Sequence, residues 1–523
     1  MKRIATVLTL ILSLNNSYSQ SNIDVIHYKF EIELSDKNDS VKGNAFVTIK
    51  FTQPSGRFSI DLSSHSQGKG MIAYRVMENG KALALTHSHD SVLVVLNKPA
   101  APDEIRTFEI QYAGIPSDGL IISGNKYGDR TFFSDNWPNR AHNWIPCKDD
   151  PGDKATFEFL VTAPSQYRVI SNGNLEGEKL LPDNKKITHW KEAVSLPTKV
   201  MVIGVAKFAI KQYEDSPPDI PISAWIYPQD SINGFRNYSA APGIVKFFSN
   251  YIGPYPYNKL ANVQSKTIFG GMENASAIFY FEESAEENMS IEDLMAHEIA
   301  HQWFGDMATE KKFSHLWLSE GFATYMADVY LESKYGRDSM NNRLKEERNK
   351  VIEYLASSAK PVVDSISSLM TLLNPNSYEK GGWILHMLRR QMGDSMFQNF
   401  IRKYYDRYKG KNADTRDLEN VAEEVTGKSL QQFFTQWLYT PGIPRLRIDW
   451  HYNKNDKVVS IQVTQRQQTV FQFPLEVKLD GATPVFKTLS ISTRSETFSI
   501  PTVSVVQRID VDPHTSLLFE QIK

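Results

Sequence analysis

A single cysteine, Cys147, stands in 523 residues. No internal disulfide can form, so the chain must rest on its packed cores. Cys147 lies in Trp144-Ile145-Pro146-Cys147-Lys148-Asp149-Asp150-Pro151, where a small packed thiol is the expected reading, not a nucleophile. There is no excess of positive charge. Lys and Arg number 58 against 60 Asp and Glu, a formal net charge of −2. That balance, with no basic run, leaves no footprint for nucleic acid. Long apolar runs are missing as well, and beyond the first twenty residues no stretch is apolar enough to span a bilayer. Internal repeats and low-complexity segments are absent.

What is present begins with a leader. Met1-Lys2-Arg3 is basic, Ile4 to Leu14 is a short apolar core, and Ser17-Tyr18-Ser19 supplies small residues before a cleavage point near Gln20. This reads as a secretory signal peptide over residues 1–20, and predicts export to the periplasm or the extracellular space. The remaining length is too great for one core. Residues 21–210 alternate apolar and polar positions, as in Phe30-Glu31-Ile32-Glu33-Leu34 and Ala45-Phe46-Val47-Thr48-Ile49, and predict an antiparallel β domain. His87 and His89 would share a strand face there and read as surface histidines. Residues 211–442 turn helical, with Asp414 and Ser429 as N-caps. A strand from Leu260 to Ile268 leads into the loop Gly270-Gly271-Met272-Glu273-Asn274. Residues 443–523 return to strands and fit one small β-sandwich.

The helical part contains Leu294-Met295-Ala296-His297-Glu298-Ile299-Ala300-His301. His297 and His301 are four apart, so both imidazoles leave one face of a helix and can hold one Zn2+. Glu298 follows the first histidine, where its carboxylate reaches a metal-bound water instead of the metal. Ser290 reads as the N-cap of this helix and Gly305 as its stop. H-E-x-x-H is short enough to arise by chance, and its weight depends on the next helix. There Glu320 interrupts an apolar face made by Trp317, Leu318, Phe322 and Tyr325. A carboxylate on such a face is costly unless it is paired or binds a metal. A hairpin of the two helices would give three ligands, His297, His301 and Glu320, and leave the fourth position open.

H-E-x-x-H, then eighteen residues, then Glu resembles the gluzincin metallopeptidases. The text around it resembles the aminopeptidase N family, which also contains leukotriene hydrolase. Gly270-Gly271-Met272-Glu273-Asn274 looks like that family's exopeptidase loop, with Gly271 in place of alanine. Tyr378-Glu379-Lys380-Gly381 looks like its tyrosine segment. The resemblance covers most of the chain after the first twenty residues and is densest from about Asn262 to Leu388. It implies a multidomain α+β fold: an N-terminal β domain reaching the active site, a thermolysin-like catalytic domain and a β-sandwich. Many relatives add a helical cap, for which this sequence has no residues, so a cleft open on that side or closed by a second subunit is expected. It also implies one zinc per chain, Glu298 as general base, Tyr378 as oxyanion donor and Glu273 as the anchor of a peptide's free α-amine. The family's second amine contact, a Gln or Glu, falls by counting on Trp137. Trp137 would then pack near the first side-chain pocket, and Asp135 or Asn136 would take the contact if the loop is shifted. Alternatives stay open: an endopeptidase, an epoxide hydrolase, or a non-catalytic binding protein. Preferred residue and oligomeric state are not readable.

Overall fold

The computed structural model describes residues 22–523; the leader assigned to residues 1–20 lies outside them. The N-terminal part is built on a ten-stranded sheet. Ile23–Glu33 pairs antiparallel with Val41–Phe51 on one side and parallel with Ala155–Pro164 on the other. Its alternation puts Val25, then Tyr28, Phe30 and Ile32 inside. The skipped beat is a bulge between Val25 and His27, which turns the strand over and restores the apolar face to the core. Cys147 is fully buried, as its sequence setting suggested. His87 is half-buried: one ring nitrogen accepts from the Ala73 amide at 3.1 Å and the other meets Leu62 O at 2.9 Å. His89 lies beyond the strand that ends at Ser88.

A four-stranded sheet, including Arg130–Ser134, carries the chain directly into Asp135, Asn136 and Trp137. Next comes a five-stranded sheet. Its central strand, Leu260–Gln264, is buried at every residue and runs parallel to both neighbours; cover on both faces removes the alternation, and its polar Asn262 and Gln264 are bonded inside, to the Tyr280 hydroxyl and the Tyr227 amide. It stops at Gln264, short of the expected Ile268. The loop that follows returns as a two-residue edge strand, Gly271–Met272, antiparallel to Ala277–Tyr280.

Two helices follow as a hairpin, the histidine helix Glu292–His301 and the glutamate helix Trp317–Tyr335. Ser290 does not cap the first. Ile291 occupies the cap position and no side chain bonds the free amides there. Asp414 does cap its helix, Thr415–Thr426, in a reciprocal box with Asp417, whereas Ser429 lies one residue before the Leu430 cap of Gln431–Phe434. The chain ends in a four-stranded and a three-stranded sheet. Their alternate residues, among them Val459, Ile461, Val463, Leu475, Val477 and Leu479, are buried. No helix among the described residues is long and apolar enough to cross a membrane.

Candidate metal centre and active site

The histidine helix places His297 and His301 one turn apart, and the hairpin brings Glu320 to them. The three donor atoms form a small triangle: His297 Nε2 to His301 Nε2 is 3.1 Å, His301 Nε2 to Glu320 Oε2 is 3.2 Å, and His297 Nε2 to Glu320 Oε2 is 3.4 Å. Among the described residues this group converges with its donor atoms within 4.8 Å of one another. Ligands about 2.0–2.1 Å from one tetrahedral ion stand about 3.3–3.4 Å apart, so the donor set fits one zinc ion. The protonation pattern agrees. His301 Nδ1 lies 3.1 Å from Phe304 O, which can only accept, and 3.1 Å from Ser319 Oγ. The proton therefore sits on Nδ1 and leaves the Nε2 lone pair for the metal. Burial works against a charged His301, yet Glu320, Glu273 and Glu298 override it and raise the imidazole to about 10. The cage is short of positive charge, which a divalent ion would supply.

Glu298 is 4% exposed and points into the same cavity. Its carboxylate rests on the edge strand. A Cβ built on Gly271 would stand 2.2 Å from Glu298 Oε1. The glycine that departs from the family's alanine thus makes room for this carboxylate where it lies. Burial raises the Glu298 pKa well above the ordinary carboxylate range, His301 opposes that, and Glu273 and Glu320 add to it.

Tyr378 arrives from the far side. It sits in a wide, π-type turn, Asn376–Lys380, ahead of the helix Gly381–Met392. Such turns are frequent at functional sites. Its ring stacks on His297, centroids 5.9 Å apart and 14° from parallel. The approach depends on two glycines: a Cβ on Gly321, next to Glu320, would meet the backbone of Gly381 at 2.8 Å, and one on Gly381 would meet Gly321 Cα at 2.9 Å.

These groups line one cavity of about 360 Å3, whose wall also includes Gly270, Gly271, Met272, Glu273 and Trp137. Glu273 is 5% exposed, and its Oε1 has no hydrogen-bond partner. Asn274 is fully buried behind it. Trp137 packs edge-on against Phe269, 6.0 Å between centroids, and its indole nitrogen is also without a partner. Asp135 does not reach the cleft. It is fully buried, with Oδ1 held by Arg140 at 2.8 Å and Oδ2 by the Ile268 amide at 3.0 Å. Asn136 is spent on Trp144 Nε1 at 2.8 Å and on the carbonyls of Thr198 and Met201. The expected second amine contact therefore comes from neither: their side chains are committed to holding the loops behind the wall.

The sequence reading missed the far wall, where Arg343, Glu347 and Lys350 line the cavity. Their i, i+4, i+7 spacing on the helix Arg337–Leu355 is the signal that could have put them on one face. Arg343 Nε bonds the buried Asp328 at 2.7 Å, and Lys350 pairs with Glu379 at 3.1 Å.

Comparison with known proteins agrees with this geometry. Residues 25–200 match the peptidase M1 N-terminal domain and residues 237–437 the peptidase family M1 domain. The chain belongs to the M1 peptidase family. Among curated relatives, a probable aminopeptidase 2 of Sulfurisphaera tokodaii is 28% identical over 68% of this chain and 46% of that protein. The tricorn protease-interacting factor F2 of Thermoplasma acidophilum is 29% identical over 73% of this chain and 49% of its own length. The M1 chain thus spans about half the length of the curated relatives it matches. A crystal structure of an M1 zinc metallopeptidase from Deinococcus radiodurans shares the fold, with a TM-score of 0.71 at 22% identity, over 81% of this chain and 95% of that one.

Proposed function

We propose that this M1 peptidase is a zinc-dependent aminopeptidase that removes N-terminal residues from peptides with a free α-amine. The observation that carries the reading is Glu273 Oε1: a buried carboxylate oxygen with no partner, in the same cavity as the three converging donor atoms. An unpaired buried acceptor is costly. A substrate ammonium would satisfy it with charge as well as a hydrogen bond, whereas a blocked or internal peptide segment offers at most a neutral N–H.

The roles follow from the chemistry of the side chains. A zinc ion held by His297, His301 and Glu320 would polarise the scissile carbonyl and make water a nucleophile near neutral pH. Beside the charge of that ion the buried Glu298 carboxylate would stay ionised, and Glu298 accepts the proton of the attacking water and returns it to the leaving amine. Tyr378 donates its hydroxyl to the oxygen that becomes negative in the transition state. Burial, then Glu320, Glu273 and Glu298, hold its phenol well above the usual range, so the donor keeps its proton. Tyr378→Phe is expected to lower kcat by roughly 10²–10³ with little change in KM; a kcat near wild type would remove Tyr378 from the mechanism.

Glu273 is tested by substrate pairs. With Asp135 and Asn136 engaged elsewhere, Glu273 is the amine's anchor. Glu273→Gln should reduce kcat/KM on free-amine substrates by more than about tenfold, beyond the worth of an exposed ion pair, because the carboxylate is desolvated. The same change should nearly erase the preference for free over N-acetylated aminoacyl substrates. A preference that survives intact in Glu273→Gln would place the amine elsewhere.

A further inference from the structure

Gln302 follows the metal-ligating His301 directly and is fully buried. Its side-chain amide has two donor hydrogens and two acceptor sites, and each finds a partner. Nε2 donates to the backbone carbonyl of Glu273 at 2.8 Å and to Asp306 Oδ2 at 3.0 Å. Oε1 accepts from the Ser276 amide at 2.7 Å and lies 3.2 Å from the Tyr255 hydroxyl, whose single proton it shares with Lys259 O at 3.0 Å. The orientation of the amide is not arbitrary, because a carbonyl can only accept and an amide N–H can only donate.

The two backbone groups flank the turn Glu273–Ser276, between the edge strand and Ala277–Tyr280. That turn supports itself poorly. Its internal bond is Ala277 N–H to Asn274 O at 3.0 Å, and Ser276 lies in the left-handed region at φ 61°. Outside help reaches its middle and far end: Asn172 Nδ2 donates to Ala275 O, the Ala261 amide and Lys259 Nζ to Ser276 O, and the Gly173 amide to Ser276 Oγ. The bond that grips Glu273 itself comes from Gln302. The path from metal ligand to amine anchor is therefore one peptide bond, one side chain and one hydrogen bond.

We propose that Gln302 is the positioning residue that sets the span between the Glu273 anchor and the metal ligands, and thereby holds cleavage to the first peptide bond. This rests on the aminopeptidase reading above, with Glu273 as the amine site. Gln302 does not touch substrate; it acts through the backbone of Glu273. Without it the carboxylate remains in the cavity, but its distance from the reacting carbonyl is no longer held.

The test uses Gln302→Met, which keeps the length and removes the side-chain bonds, and Gln302→Glu, which keeps the acceptor oxygen but puts a second oxygen where Nε2 donated to Glu273 O and Asp306 Oδ2. Both are made in the wild-type chain and in a Glu298→Gln background that does not turn over. Zinc content is measured, together with kcat and KM on a matched free and N-acetylated aminoacyl pair. Calorimetric binding of leucine amide and N-acetyl-leucine amide is measured in the Glu298→Gln background. Gln302→Met should retain about one zinc per chain. It should raise KM for the free amine and lower the free-to-acetylated ratio by about tenfold, in kinetics and in binding alike, the scale of one lost buried hydrogen bond. Gln302→Glu should lower the ratio at least as far as Gln302→Met, because the bond to Glu273 O is lost in both. A folded, zinc-loaded Gln302→Met with the wild-type ratio overturns the assignment. If Gln302→Met does not fold, Gln302→Glu decides on the same ratio: a fall of about tenfold or more supports the role and a wild-type value overturns it. Wild-type protein that fails to distinguish the two substrates would instead overturn the aminopeptidase reading.

Discussion

Glu298→Gln should keep the fold and about one zinc per chain while losing roughly 10²–10⁴ in kcat, the usual scale of a missing general base. The amide has the shape of the carboxylate and fits the same place against Gly271, where the strand has no side chain to obstruct it. It cannot take a proton from water. Because the three ligands, His297, His301 and Glu320, are untouched, metal content separates this loss from a collapsed site. Glu298→Gln protein with full zinc and near wild-type kcat would mean that another group moves the proton.

His301→Ala should have a comparable or larger effect by a different route. His301 is the innermost ligand, 1% exposed, with Nε2 toward Glu320 and Nδ1 fixed by Phe304 O and Ser319 Oγ. Removing it takes away one corner of the donor triangle and leaves Glu320, itself 3% exposed, with His297 as its remaining partner in the cage. Zinc should fall to a small fraction of one per chain, and activity should fall with it. Chelation of the wild type should do the same, and added zinc should restore the wild type but not the variant. His301→Ala protein with full metal content and full rate would break the assignment.

The parts of this site that could be read from sequence are those whose geometry is local. His297 and His301 are one helical turn apart, and Glu320 is one hairpin away, so spacing predicts the convergence that the structure displays. Glu273 and Tyr378 were legible through resemblance alone; a loop glutamate and one tyrosine among 23 carry no local signal. Counting along a loop failed for Asp135 and Asn136, because a one-residue step does not say which way a side chain faces. The hydrogen bonds to Arg140, Ile268 and Trp144 decide that, and they are tertiary. Gln302 was invisible for the same reason: its partners lie at Tyr255, Glu273, Ser276 and Asp306. Ser290 shows the converse limit, since a good cap sequence was left unused by a helix held through its packing.

For the fold, alternation identified the exposed-face strands of the N-terminal sheet. It said less about Leu260–Gln264, where burial on both faces removes the period. The departure at Gly271 was visible as a missing methyl, and its reason appears only when Glu298 is seen resting on it.

The central claim is that this M1 peptidase cuts one residue at a time from a free amino end. The most direct measurement is a time course of products, by mass spectrometry, from one short peptide offered with a free N-terminus and with the same terminus acetylated. The account predicts a ladder of products shortened from the N-terminus for the free peptide, abolished by chelation, and no cleavage of the acetylated one. Equal cleavage of both, or products cut internally, would contradict it.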